Sequence, residues 1–432
     1  MTSTESITVP PQHGGALRQA QGPGAAQAPG AAPGPSAAQG PGRDGIRSRL
    51  GFPLAVSAQI VMMMGASAPS PFYPVLAQQI GFDAIVISAV FAVYAVALLL
   101  TLLTAGSLSD HIGRRPVAVG GFLLLAASMV LFWHADAVAT LFLARILQGA
   151  ASGLLISALS ATVLDFAPTG RPKAAALWNS LSPGIGLASG ALVSAVLLDV
   201  TGEALLDVFA PLTTAYVLLA ALFFAIPETA PRRPGVWASL SFRLSVPAGI
   251  RSDFWRGAPA IIAGWATGGL FLSLGANIVR GELGGEAHVW QGLGVVLLAG
   301  VGAVTAFAMR RMPARTTVLF GTAALAVGTA LSLAALSVQS LPFYLVAAGV
   351  TGMGFGTAFS GVVASLAPKI PATERADTFA VIYVLAYLAF GVPAVAAGLL
   401  VGVIGLEAVC FGYGLVVIAL AAVAFVLRVR RA

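Results

Sequence analysis

Ionisable side chains are scarce: only 9% of the 432 residues are Asp, Glu, Lys or Arg, with four histidines and a single cysteine. One cysteine, Cys410, excludes an intrachain disulfide and a cysteine-based metal cluster. No phosphate-cradling G-x-x-x-x-G-K-[ST] loop occurs, which argues against ATP-driven work within the chain. No cluster of His with acids, and no nucleophile beside a base, falls at a shared depth, so neither an enzyme, a metal nor a cofactor is expected. The first residues lack the apolar core behind a basic start that a cleaved secretion signal needs, so the first hydrophobic run is expected to be a true span.

What the chain has instead is apolar surface: 58% of it is hydrophobic, and its mean hydropathy is +0.92. One or two water-soluble cores could not bury so much, which places the chain in a bilayer. The formal charge of +7 lies in short clusters between apolar runs rather than on one solvated face, so membrane orientation explains it better than nucleic acid.

Residues 1–48 are rich in Ala, Gly, Pro and Gln, and read as a disordered cytoplasmic tail. Runs of about 20 apolar residues, each long enough to cross the hydrocarbon as helix, follow near 53–78, 84–109, 116–134, 138–165, 173–199 and 205–226. A basic stretch at 228–256 precedes six more, near 257–279, 287–309, 316–338, 341–366, 376–402 and 406–427. With the N-terminus inside, 21 of the 23 Lys and Arg residues fall on the cytoplasmic side; Arg145 lies within a span, and only Arg280 falls outside. Such separation predicts twelve spans with both termini cytoplasmic. At an offset of 200, Arg115 aligns with Arg315 and Gly121 with Gly321; at 203, Gly153 aligns with Gly356. The expectation is an all-α membrane protein of two pseudo-symmetric six-helix bundles, 49–227 and 257–432, joined by the linker 228–256.

The stretch "GSLSDHIGRRPV", residues 106–117, packs Asp110, His111, Arg114 and Arg115 into a turn between the second and third spans. Its pattern G-x-x-x-D-x-x-G-R-R-P resembles the signature loop of the major facilitator superfamily, a family of secondary transporters. The resemblance implies that Gly106 lets the second helix approach the other half and that Gly113 permits the tight turn. It further implies that Asp110 sits at the positive start of the eleventh helix, while Arg114 and Arg115 engage acids and lipid phosphates. Positive-inside anchoring alone explains the arginines but not Asp110 or the glycines. Asp165, at the inner end of the fourth span, is the expected partner of Arg114 or Arg115.

A second motif, "RILQG", resembles the family's fourth-helix arginine signature, which implies a coupling role for Arg145. Helical spacing places Arg145, Gln148, Ser152 and Ser160 within an arc of about 120° that would line a central path. An arginine near the start of a span could instead snorkel to outer headgroups. In "WNSLSPGIGLASG", Pro183, Gly184, Gly186 and Gly190 are similar to a degenerate antiporter motif, with Ser182 in place of a glycine; ordinary kinking and packing would also explain them. Gln59, Tyr94, Trp265, Tyr383 and Tyr387 could line an apolar pocket with a few polar contacts, though each could equally serve packing.

Together these features imply a monomeric transporter in the cell membrane, in contact with lipid. It would move an amphipathic or lipophilic small molecule by alternating access, in efflux against protons. Import of a small metabolite with protons, or a transport-inactive sensor or scaffold, are the other readings. Deleting residues 2–45 is expected to leave both abundance and flux unchanged in a transport assay; loss of flux at normal abundance would give the tail a role.

Overall fold

The computed structural model describes residues 46–168, 173–230, 234, 244–371 and 374–430. The tail expected at 1–48 therefore lies largely outside the described residues, as does most of the linker. The chain from Asp44 onward forms one compact unit. Among the described residues every regular element is helical.

The first half contains α1 (Ile46–Ser67), α2 (Tyr73–Ile80), α3 (Ala84–Ala105), the short α4 (Leu108–Ile112), α5 (Arg114–Trp133), α6 (Val138–Asp165), α7 (Lys173–Val200) and α8 (Ala204–Ala225). The second contains α9 (Arg251–Ser273), α10 (Gly275–Gly281), α11 (His288–Ala308), α12 (Ala314–Ser337), α13 (Leu341–Leu366), α14 (Arg375–Ile404) and α15 (Leu406–Val429). Among the described residues eleven stretches are long and apolar enough to cross a membrane, and α9 with α10, bent by 58°, makes a twelfth when taken as one broken span. The seventh helix starts at Arg251, six residues before the expected 257, because the 3₁₀ turn Ala248–Ile250 leads straight into it.

The two halves share a flaw in their first spans. In "SAPSPFYP" Pro69 and Pro71 have no N–H to continue the ladder, so α1 stops at Ser67 and a 3₁₀ turn, Ser70–Phe72, leads into α2. The matching break lies at Leu274, between α9 and α10. The breaks meet: Ser70 Oγ donates to the Leu272 carbonyl at 2.9 Å, buried, across a separation of 202 residues. That separation falls between the two repeat offsets, which ties the internal repeat to a physical contact.

Hydrophobic burial within the first half centres on aromatic rings, with Phe72 and Phe132 packed against Phe209 at 5.2 and 5.4 Å. Between the halves, α7 runs along α11 and α3 along α14. Small residues permit this: a methyl group at Gly184 would stand 2.7 Å from Ala303 Cβ, so the backbones touch. Gly186 and Gly190 face α1 in the same way. A side chain on Gly190 would collide with the Met64 carbonyl and the Ser67 hydroxyl.

Overpacking of this kind typically costs about 1–3 kcal/mol. Gly190→Val is therefore expected to lower the melting temperature of the purified protein, whereas Gly120→Ala, with open space around it, should not. Equal melting temperatures for both variants would contradict the close approach of α7 and α1.

Candidate functional site

A cavity of about 670 Å³ lies between the halves. Its lining spans the middle of the bundle and continues toward the end that carries residues 106–115, reaching Ala176, Ala306 and Ala364 near the ends of α7, α11 and α13. The second half contributes an aromatic wall. Trp265 stands edge-on to Tyr387 at 4.8 Å and to Phe390 at 5.7 Å, and Tyr383 flanks Tyr387 at 6.4 Å. The first half contributes Tyr94, Gln59, Ser160, Asn179, Pro183 and Gly184. No Asp, Glu, Lys, Arg or His lines the cavity among the described residues.

Gln59, Asn179 and Ser160 form a chain whose polarity is fixed by a backbone carbonyl. The Ser160 carbonyl can only accept, so Asn179 Nδ2 donates to it at 3.2 Å. Asn179 Oδ1 must then accept from Gln59 Nε2 at 2.9 Å, and the same amide donates to Ser160 Oγ at 3.2 Å. Asn179 escaped the sequence reading, although it lies on "WNSLSPG", four residues before Pro183.

Arg145, Gln148 and Ser152 do not line this cavity, which corrects the expectation of a polar stripe facing the central path. All three are completely buried inside the first half. Arg145 does not snorkel either. Its Nε donates to Tyr73 Oη at 2.7 Å, its Nη1 to the Ala66 carbonyl at 3.3 Å and to Gln148 Oε1 at 2.5 Å, and its Nη2 also reaches Tyr73 Oη. The rings of Tyr73, Tyr94 and Phe132 surround the guanidinium at 5.3–5.4 Å. No carboxylate among the described residues pairs with it. Two of its acceptors, Tyr73 Oη and the Ala66 carbonyl, come from the broken first span, and the third, Gln148, is anchored there: Pro69 cannot donate to the Gly65 carbonyl, which accepts instead from Gln148 Nε2 at 2.8 Å. Tyr94 and Ala66 belong both to this shell and to the cavity wall, so the charge lies one residue layer behind the cavity.

At the end bearing residues 106–115, Arg114 pairs with Asp110 one turn earlier, with Asp165 at 3.5 Å and with Ser109 Oγ at 2.7 Å. Thr229 Oγ1 donates to Asp165 Oδ2 at 2.6 Å. The helix α5 begins without a cap of its own, and Glu228 supplies one: its carboxylate accepts from the backbone N–H of Arg114 at 2.8 Å and of Arg115 at 3.0 Å. Gly113 has φ of 110°, a conformation L side chains rarely adopt, and a methyl group there would meet the Glu228 carboxylate. Arg115 directs its guanidinium over the Phe224 ring at 5.1 Å and pairs with no acid among the described residues.

One expectation at this end is corrected, and a second is not met in this state. Gly106 does not bring the second helix against the other half; it closes α3, and the nearest atoms to an added methyl belong to Leu102 of the same helix. Asp110 does not reach the start of α14, because Arg114 at i+4 holds it within its own half. Sequence reasoning missed Glu228 and Thr229; an acid directly after the sixth span, on the side rich in arginine, was the available signal.

The opposite end is where the halves are tied. Asp199, at the end of α7, accepts from the His288 backbone N–H, from His288 Nδ1 and from the Val289 N–H, each at 2.8 Å. Like α5, α11 begins with no side-chain cap of its own, so its start depends on a carboxylate from the other half. In the amide orientation that satisfies both groups, Gln78 Oε1 accepts from both Arg280 Nη atoms at 2.8 and 2.9 Å. With the Ser70–Leu272 bond, these contacts seal this end and leave the cavity on the other side of the seal.

A carboxylate at a helix N-terminus contributes about 0.3–1 kcal/mol, up to ~2 when partly buried. Asp199→Asn is therefore expected to raise the population open at this end roughly two- to thirtyfold. Spin labels at Gly202 and Glu286, read by pulsed dipolar spectroscopy, would report it; an unchanged distance distribution would remove the latch role.

The sequence profile of the Major Facilitator Superfamily matches residues 55–330. No curated protein sequence matches the chain. Among solved structures, a mutant of the nucleoside transporter NupG is similar with a TM-score of 0.65 and 13% identity, covering 88% of this chain and 99% of that one. A POT family transporter in complex with 5-aminolevulinic acid is similar with a TM-score of 0.68 and 15% identity, covering 89% and 96%. At such identities these likenesses speak to the fold, and the profile match carries the family. The chain belongs to the Major Facilitator Superfamily and is a multi-pass membrane transporter of small molecules, not an enzyme.

Proposed function

We propose that this transporter exports a small amphipathic or lipophilic molecule across the cell membrane in exchange for protons, by alternating access between its two halves. The observation that carries the reading is the cavity: apolar, aromatic on one wall, amide- and hydroxyl-bearing on the other, without an ionised side chain among the described residues, and sealed at one end. A zwitterion such as 5-aminolevulinic acid would find no pair of opposite charges there, so the neighbour's ligand is not carried over.

The placement of 21 of 23 basic residues supports assigning the 106–115 end to the cytoplasm, with both termini inside. The present state is then open inward and closed outward. In the cycle, Asp110 would leave Arg114 and engage the start of α14 as the cytoplasmic ends close, while Asp199 would release α11 as the outer ends part. Both events move a carboxylate between partners, which is where a proton can intervene, since the cavity wall offers no acid.

Purified protein in proteoliposomes, given a panel of uncharged aromatic amphipaths, is expected to accumulate at least one of them against its gradient when an opposing pH gradient is imposed. Asp110→Asn should slow that flux about tenfold, a loss of about 1.4 kcal/mol of coupling, without loss of protein. Flux in the direction of the proton gradient would convert the reading to import. Absence of flux together with an intact cellular phenotype for Asp110→Asn would favour a sensor or scaffold.

A further inference from the structure

Resting on the reading of the cavity as an amphipath site, we infer that the cavity selects its cargo by charge: it takes neutral or anionic molecules and rejects cations, with Arg145 setting the sign from behind the wall. The guanidinium is fully buried, and its acceptors are a tyrosine hydroxyl, an amide and a carbonyl, all neutral. These groups solvate the charge without cancelling it. A low-dielectric surrounding then transmits the remaining field further than water would. Tyr94, whose ring lies 5.4 Å from the guanidinium carbon, is part of the cavity lining, so cargo against that wall feels a cation at close range.

The hydrogen-bonding groups on the lining lean the same way. The Trp265 indole N–H can only donate, and neither it nor the hydroxyls of Tyr383 and Tyr387 bonds to another described residue. On the facing wall, the fixed polarity of the Gln59–Asn179–Ser160 chain leaves the second Asn179 amide hydrogen and the Ser160 hydroxyl hydrogen unused. The acceptor left over in that chain, Gln59 Oε1, is buried and closed off. The carbonyl of Asn179, whose helical donor Pro183 removes, and the hydroxyl oxygens are the opposing acceptors, and among the described residues no carboxylate joins them. A cargo with a planar apolar body and an acceptor-bearing end, such as a carboxylate, a carbonyl or an amide, can therefore use the Trp265 indole N–H and the free Asn179 amide hydrogen, which an ammonium cannot.

The test uses one aromatic body with three ends. Binding of 2-naphthoate, 2-naphthamide and 2-naphthylmethylammonium to the full chain in lipid nanodiscs is measured by calorimetry at about pH 7, with empty nanodiscs subtracted. Naphthoate is expected to bind about tenfold or more tighter than the ammonium, with the amide between them. Arg145→Lys should keep that order, Arg145→Met should collapse it, and Asn179→Asp, which puts an acid on the wall, should reverse it. Equal affinities in the wild type overturn the inference while leaving the amphipath site standing, as does a gap that survives Arg145→Met. Should Arg145→Met fail to fold, an unchanged order in Asn179→Asp overturns it as well. If none of the three probes binds, the amphipath reading itself falls, and this inference with it.

Discussion

A backbone carbonyl inside a bilayer must find a donor, because no water is there to supply one. That constraint organises the first half of this transporter. Pro69 and Pro71 end α1 in the middle of a span, and the carbonyls so freed need donors from elsewhere in the bundle. Gln148 and Arg145 supply them from α6. The exchange works in both directions, since the Ala66 carbonyl, with Tyr73 from beyond the break, solvates an arginine that insertion scales penalise by at least ~2.5–3.5 kcal/mol. A broken helix and a buried charge, each costly alone, offset one another.

A related exchange governs the two ends. Three helix starts matter: α5, α11 and α14. Each lacks a cap from its own N-cap side chain. Glu228 caps α5 from within the same half and so fixes the third span regardless of state. Asp199 caps α11 from the other half, so its bonds exist only while that end is shut. Asp110, the residue that the signature loop assigns to α14, is held instead by Arg114, at the end toward which the cavity extends. One kind of interaction, carboxylate against helix dipole, is thus made permanent in one place and conditional in another, the difference being whether donor and acceptor share a half.

Much of the architecture was legible because hydropathy and charge placement report on the bilayer directly. The twelve spans followed from run length. The cavity wall was partly legible: Gln59, Tyr94, Trp265, Tyr383 and Tyr387 all line it, as polar or aromatic residues set within apolar runs. Helical periodicity failed for Arg145, Gln148 and Ser152 because it gives the direction of a side chain around its own helix and not which neighbour stands in front. The intervening residue is Tyr94, on α3, and only packing reveals it. The caps were hidden for the same reason. Asp199 and His288 are 89 residues apart, and nothing local in either segment announces the other.

The distribution of ionisable groups divides the labour of the molecule. Carboxylates occupy the ends, where solvent lowers the cost of charging them. Among the described residues, the middle holds a single charged side chain, the guanidinium of Arg145. A charge held in a fixed shell is better suited to discriminating among cargoes than to gating, because its field is the same in every state that keeps that shell intact. Arg145 and its shell lie wholly within the first half, so a rigid-body rocking of one half against the other would carry them unchanged. Selection at the centre and switching at the ends can therefore proceed without interfering, which is the physical advantage of keeping acids off the cavity wall.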